Sequence, residues 1–155
     1  MIRTPRRLRL CVTLLIMNLV FIWGNSLLPG ELSGALSHWL KGLLEAIFGS
    51  SGGDPAQGHG LLRKLAHFTE FGCLGMCLTW LFSMLSRPKW LSLLCGFSAA
   101  CVDETIQCFV PDRGPGIKDV MIDTAGVAVG IAVLLFGYTI YKKQKSKHHL
   151  EETKQ

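Results

Sequence analysis

The chain has 155 residues, 49% hydrophobic and 17% charged, with a net charge of +5. This is the length of one domain, and the apolar excess excludes an ordinary soluble domain of that size. The positive charge falls in short clusters beside apolar blocks, the distribution of membrane-flanking anchors, which argues against a nucleic-acid surface.

The first apolar block runs from about Leu8 to Leu28 behind Arg3, Arg6, Arg7 and Arg9. A bilayer crossing needs about 20 residues at about 1.5 Å each, so the block is long enough to span. A basic start before an apolar run also describes a secretory signal peptide. No small-x-small cleavage site follows at once, so an uncleaved anchor is expected.

Residues 36–48 repeat apolar side chains at three- and four-residue steps (Leu36, Trp39, Leu40, Leu43, Leu44, Ile47), with Lys41 and Glu45 on the other side. That is the pattern of an amphipathic helix lying in the membrane interface or packed as a lid. Residues 49–60 are Gly-rich and polar, and are expected to form a flexible linker.

Three further blocks follow, over residues 61–85, 90–110 and 116–141, and a basic tail occupies 142–155. Blocks of this length without strict two-residue alternation are helices, not barrel strands. The expected fold is all-α: a four-helix transmembrane bundle with an extracytoplasmic interfacial helix between the first and second spans. The core motifs lie within 61–135 of a single domain. Arg87 and Lys89 at the second turn, with Lys142, Lys143 and Lys145 after the fourth block, join the N-terminal arginines on the cytoplasmic side by the positive-inside rule. Both termini are then cytoplasmic. Trp23, Trp80 and Trp90 are expected at the interfaces, and the six cysteines as packing residues within the spans.

Against this background the acids stand out. A carboxylate at the centre of a bilayer costs about 2.5–3.5 kcal/mol on insertion scales, so intramembrane ionisable residues face a protein interior and mark function. With the orientation above, Lys64, His67 and Glu70 open the second span, Asp103, Glu104 and Gln107 close the third, and Asp119 and Asp123 open the fourth, all at the outer end. Asp119, Asp123, Gly126 and Gly130 form one helical stripe, and Gly96, Ala100, Asp103 and Gln107 another. The stripes should meet, making a polar bowl with Lys64, Arg63 and Arg113 at its rim. Arg113, in the Pro- and Gly-rich turn over residues 110–116, is placed to pair with carboxylates or to bind a phosphate or carboxylate.

These residues carry a resemblance. The runs Lys64-Leu-Ala-His67-Phe-Thr-Glu70-Phe71, Asp103-Glu104-Thr-Ile-Gln107 through Pro111-Asp-Arg113, and Asp119 through Asp123-Thr-Ala-Gly126 and Gly130 resemble the VanZ-like family of bacterial membrane proteins. Phe71 stands where that pattern usually has Tyr, and Asp123 where it usually has Asn, which implies a hydrogen-bonding role or a protonated carboxyl for Asp123 in place of a fixed charge. The resemblance implies a place in the bacterial cytoplasmic membrane and a role in the cell envelope, associated for the family's namesake with resistance to the lipoglycopeptide teicoplanin.

Two functions are weighed most heavily. In the first, the bowl of Lys64, His67, Glu70, Asp103, Glu104, Gln107, Arg113, Asp119 and Asp123 binds an anionic or lipid-linked ligand, such as a cell-wall precursor or a lipoglycopeptide. In the second, the protein is an enzyme with His67, Glu70, Asp103 and Glu104 as acid–base candidates, or with His67, Glu70, Asp103 and Glu104 holding a divalent cation that polarises a phosphoryl oxygen. No P-loop, HExxH or nucleophile elbow is present to favour the second. Transport is weaker, because no charged relay continues through the cytoplasmic half.

Overall fold

The structure, a computed structural model, describes residues 5–30, 32, 35, 39, 55–114 and 116–152, with side chains described over 5–30, 32, 35, 39, 63–114 and 116–146. But for Trp39, the amphipathic helix expected over 36–48 lies outside these residues, as does the first half of the expected linker. Four helices are present among the described residues: α1 (Pro5–Ser26), α2 (Pro55–Met84), α3 (Trp90–Gln107) and α4 (Ile117–Glu152). No strand occurs among them. The second helix starts at Pro55, so residues 55–60 of the expected linker are its first turns. Proline suits that position because the first N–H of a helix has no partner within it. The basic tail is likewise helical as far as Glu152.

Contacts between helices give an up-down-up-down bundle. Cys11 on α1 donates to the Cys77 carbonyl and Asn18 to that of Glu70, so α1 and α2 run antiparallel. Gly126 lies against Phe68 and Gly130 against Gly72, so α2 and α4 run parallel. A Cβ at Gly126 or Gly130 would fall on the carbonyl oxygen of Phe68 or Gly72, and one at Gly75 on that of Val127. Only glycine permits backbones this close, and in lipid such contact is what holds helices together.

The core is a short stack of Ile22, Phe71, Leu74, Leu78, Ala99, Ala100 and Val127, with Trp23 packed beside it. Trp23, near the end of α1, turns its face to the core. Trp90, 63% exposed, lies at the start of α3. Most apolar surface points outward: Leu14, Ile16, Met17, Val20 and Phe21 on α1, and Met121, Val129, Val133 and Phe136 on α4, are all exposed. A soluble protein avoids such a belt, whereas lipid requires one. All six cysteines are free.

Among the described residues, three helical segments are long and apolar enough to cross a membrane: Pro5–Ser26, Arg63–Met84 and Ile117–Ser146. The expected fourth span, α3, is not among them. Its 18 residues reach about 27 Å, and Asp103, Glu104 and Gln107 in its last two turns lower its hydropathy. Those three side chains are buried against the other helices, so they do not face lipid.

The turn from α2 into α3 is set by a left-handed Ser86, with φ of 54°. The Arg87 N–H reaches the Phe82 carbonyl at 2.9 Å and that of Ser86 reaches Ser83 at 3.4 Å. This pair of bonds closes the helix in a Schellman motif, and Pro88 prevents its continuation. The turn sends α3 back toward the end where α1 finishes.

Candidate functional site

Asp103 is completely buried near the end of α3. The Ser26 hydroxyl donates to its Oδ1 at 2.6 Å, and the Gln107 side-chain amide donates to its Oδ2 at 2.9 Å. The first distance is that of a charge-assisted O–H···O⁻ bond. The same amide donates to Glu104 Oε1 at 3.2 Å. Steps of three and four along one helix bring Asp103, Glu104 and Gln107 within mutual reach. Glu104 then extends the chain of bonds to α4, accepting the Gly116 N–H at Oε2 over 2.8 Å. Gly116 immediately precedes α4, where the helix dipole favours a carboxylate. Asp119 occupies the first turn of α4 and benefits from the same field.

Across from this network His67 Nδ1 lies 3.8 Å from Asp103 Oδ2. That is beyond hydrogen-bond range. A carboxylate oxygen of Asp123 completes the group: one ligand-type atom from each of His67, Asp103 and Asp123 lies within 4.8 Å of the others. Asp123 is 1% exposed, and its Oδ2 has no hydrogen-bond partner, nor has His67 Nδ1. Beside them is a cavity of about 10 Å³, lined by Arg63, Lys64, His67, Glu104, Gln107, Asp119, Ile122 and Asp123. A volume of this size holds about one water molecule.

Two expected members have other engagements. Glu70 accepts from the Asn25 amide at 3.0 Å through Oε1, leaving Oε2 buried without a partner, and it does not line the cavity. Arg113, expected at the rim within reach of carboxylates or an anion, is bonded to backbone carbonyls, with Nη1 buried and unpartnered. Its Nε donates to the Leu28 carbonyl at 3.1 Å and its Nη2 to the Asn25 carbonyl at 2.9 Å. Asn25 is in the last turn of α1, whose carbonyls have no partners within the helix and carry partial negative charge, and Leu28 lies just past its end, so a guanidinium satisfies this region well. Burial lowers the Arg113 pKa from its usual value, a direction that still leaves so strong a base protonated. The cations at the cavity are instead Arg63 and Lys64.

The structure therefore brings together Lys64, His67, Asp103, Glu104, Gln107, Asp119 and Asp123, and sets Glu70 and Arg113 beside them, bonded to α1. The contribution of α1 was not anticipated. Ser26 orients Asp103, Asn25 orients Glu70, and Asn18 donates to the Glu70 carbonyl at 3.4 Å. The available signal was Asn18, Asn25 and Ser26, at steps of seven and one, in the part of α1 that is otherwise apolar beyond its basic start and Thr13.

Chemically, the arrangement supplies Asp103 locked by amide and hydroxyl donors, an imidazole facing it and the unpartnered Asp123, and the cations Arg63 and Lys64 in the cavity lining. It supplies no activated nucleophile, since the Ser26 hydroxyl is donated to Asp103, not to His67.

No curated protein and no solved structure matches the chain. The sequence model of one family, VanZ/LLP1, does match, over residues 9–140, a span that includes all four helices' site residues. With that match covering most of its length, the chain belongs to the VanZ/LLP1 family of membrane proteins.

Proposed function

We propose that the protein acts in the bacterial cell envelope, as a single-domain, multi-pass protein of the cytoplasmic membrane whose polar site takes the anionic group of a lipid-linked or membrane-anchored ligand. The observation that carries this reading is the small cavity flanked by Arg63 and Lys64 above His67, Asp103 and Asp123. Its water-sized volume admits no headgroup, so the ligand's charge meets the two cations at the mouth while its hydrocarbon stays in the bilayer. A lipid-carried cell-wall precursor and a membrane-anchored lipoglycopeptide both present charge at this depth, and protection against teicoplanin would follow from engaging either.

Orientation supports the same reading. The basic residues Arg6, Arg7 and Arg9, Arg87 and Lys89, and Lys142, Lys143 and Lys145 all sit at the bundle end opposite the acids. By the positive-inside rule that end is cytoplasmic, which puts the cavity outside. Transport gains no support. Among the described residues, Thr79 and Ser92 are the buried polar side chains farther along the bundle toward the basic end.

Native mass spectrometry of the full chain, with anionic and zwitterionic lipids, tests the proposal. Charge reversal at the mouth, Arg63→Glu with Lys64→Glu, should weaken anionic-lipid binding about tenfold, or about 1.4 kcal/mol, and leave zwitterionic binding unchanged. Equal anionic occupancy in the variant and the native chain would sink it. A second reading, a membrane-embedded enzyme with His67 as base and Asp103 as its orienting acid, rests on their 3.8 Å approach. It predicts a new lipid or precursor species in cells making the native chain and none with His67→Ala.

A further inference from the structure

We infer that His67, Asp103 and Asp123 form a binding site for one divalent first-row transition ion, of the zinc or manganese class. The inference stands independently of any lipid ligand.

Three facts converge. First, the ligand-type atoms of the three residues lie within 4.8 Å of one another. Tetrahedral bonds of about 2.0–2.1 Å place ligand atoms about 3.3 Å apart, so side-chain shifts of about 1 Å close the three on an ion. Second, the site carries unmet bonding capacity where burial makes that costly. Asp123 is 99% removed from solvent with Oδ2 partnerless, and His67 Nδ1 faces Asp103 Oδ2 without bonding it. Buried polar atoms ordinarily have partners, and an ion that all three share supplies them at once. Third, charge balances: a neutral imidazole and two carboxylates sum to −2, which a divalent cation cancels in a medium where net charge is expensive.

The surroundings have the form of an outer coordination shell. Asp103 is fixed from behind by Ser26 at 2.6 Å and Gln107 at 2.9 Å. Such partners orient ligating carboxylates and raise metal affinity. The cavity of about 10 Å³ that His67 and Asp123 line gives the ion a remaining position for one water. An imidazole in the set selects transition ions over magnesium and calcium, which prefer oxygen alone. Glu104 is not a ligand, since its oxygens turn to Gln107 and Gly116, and Glu70, bonded through Oε1 to Asn25, lies outside both the three-residue group and the cavity lining.

The test is metal content. The full chain, purified in detergent, stripped with chelator and reloaded with zinc or manganese, should retain about one equivalent by elemental mass spectrometry. Asp123→Asn, nearly identical in shape, should lower affinity at least tenfold, and His67→Ala should abolish retention, while Asp112→Asn on the exposed turn retains the full equivalent. Cobalt loading of the native chain supplies a readout that needs no variant: visible d–d bands of a site with nitrogen and oxygen ligands. A monodisperse native chain that retains under about 0.1 equivalent and gives no cobalt bands overturns the inference. So does undiminished retention by both Asp123→Asn and His67→Ala.

Discussion

Asp103 is held by Ser26 from another helix and by Gln107 from its own, so its carboxylate has little rotational freedom. Removing the hydroxyl leaves Oδ1 buried without its closest donor, and an orphaned buried acceptor costs about 1–3 kcal/mol. Ser26→Ala should therefore lower the unfolding free energy in detergent by about that amount. Asp103→Asn should cost less when added to Ser26→Ala than when made alone, because one interaction cannot be lost twice. Strict additivity in that double-mutant cycle would show the 2.6 Å contact to be energetically idle. Arg113 illustrates a different logic: its Nε and Nη2 are engaged by backbone carbonyls at and just past the end of α1, while Nη1 is buried without a partner. Its place in the resembled motif was visible in the sequence, but its partners were not, since they depend on where α1 ends in space.

Among the elements, α2 and α4 make the closest contact, and glycine makes it possible. Gly130→Ala would drive a methyl group into the Gly72 carbonyl, and since that obstacle is backbone, the helices must separate. The expected cost is about 1–3 kcal/mol, as for overpacking a filled core. Gly137→Ala on the same helix meets no atom within 4 Å and should be neutral or gain up to about 1 kcal/mol from helix propensity. Thermal midpoints of the two variants in the same detergent decide the matter, and equal midpoints would refute the seam. The stripe of Asp119, Asp123, Gly126 and Gly130 was legible because helical period fixes which residues share a face. That period cannot identify the neighbour on that face, so Gly72 and Gly75 went unnoticed, and α1, read as an anchor, concealed Ser26 and Asn25. The start of α2 was read as linker because Gly58 and Gly60 weaken any helical signal, although Pro55 is a legitimate first residue.

For the whole molecule, the decisive question is whether α3 crosses the bilayer. By hydropathy alone it falls outside the spanning set. Yet α2 and α4 run parallel and carry their acids at the same end, so the chain must return across the bundle between them. The return is feasible because Asp103, Glu104 and Gln107 are buried in protein, at 0%, 7% and 5% exposure, and so avoid the cost they would incur in lipid. Crossing then predicts that Gly114, exposed at the acidic end, and Ser86, in the α2–α3 turn, lie on opposite faces of the membrane. Single cysteines at Gly114, Ser86 and Ser146, introduced into a chain whose six native cysteines are replaced, report this directly with a membrane-impermeant maleimide on intact cells. Gly114→Cys should label at once, while Ser86→Cys and Ser146→Cys should label only after permeabilisation. Labelling of Gly114→Cys and Ser86→Cys from the same side would place α3 along the membrane surface, and the buried carboxylates would then need another explanation for their shielding from lipid.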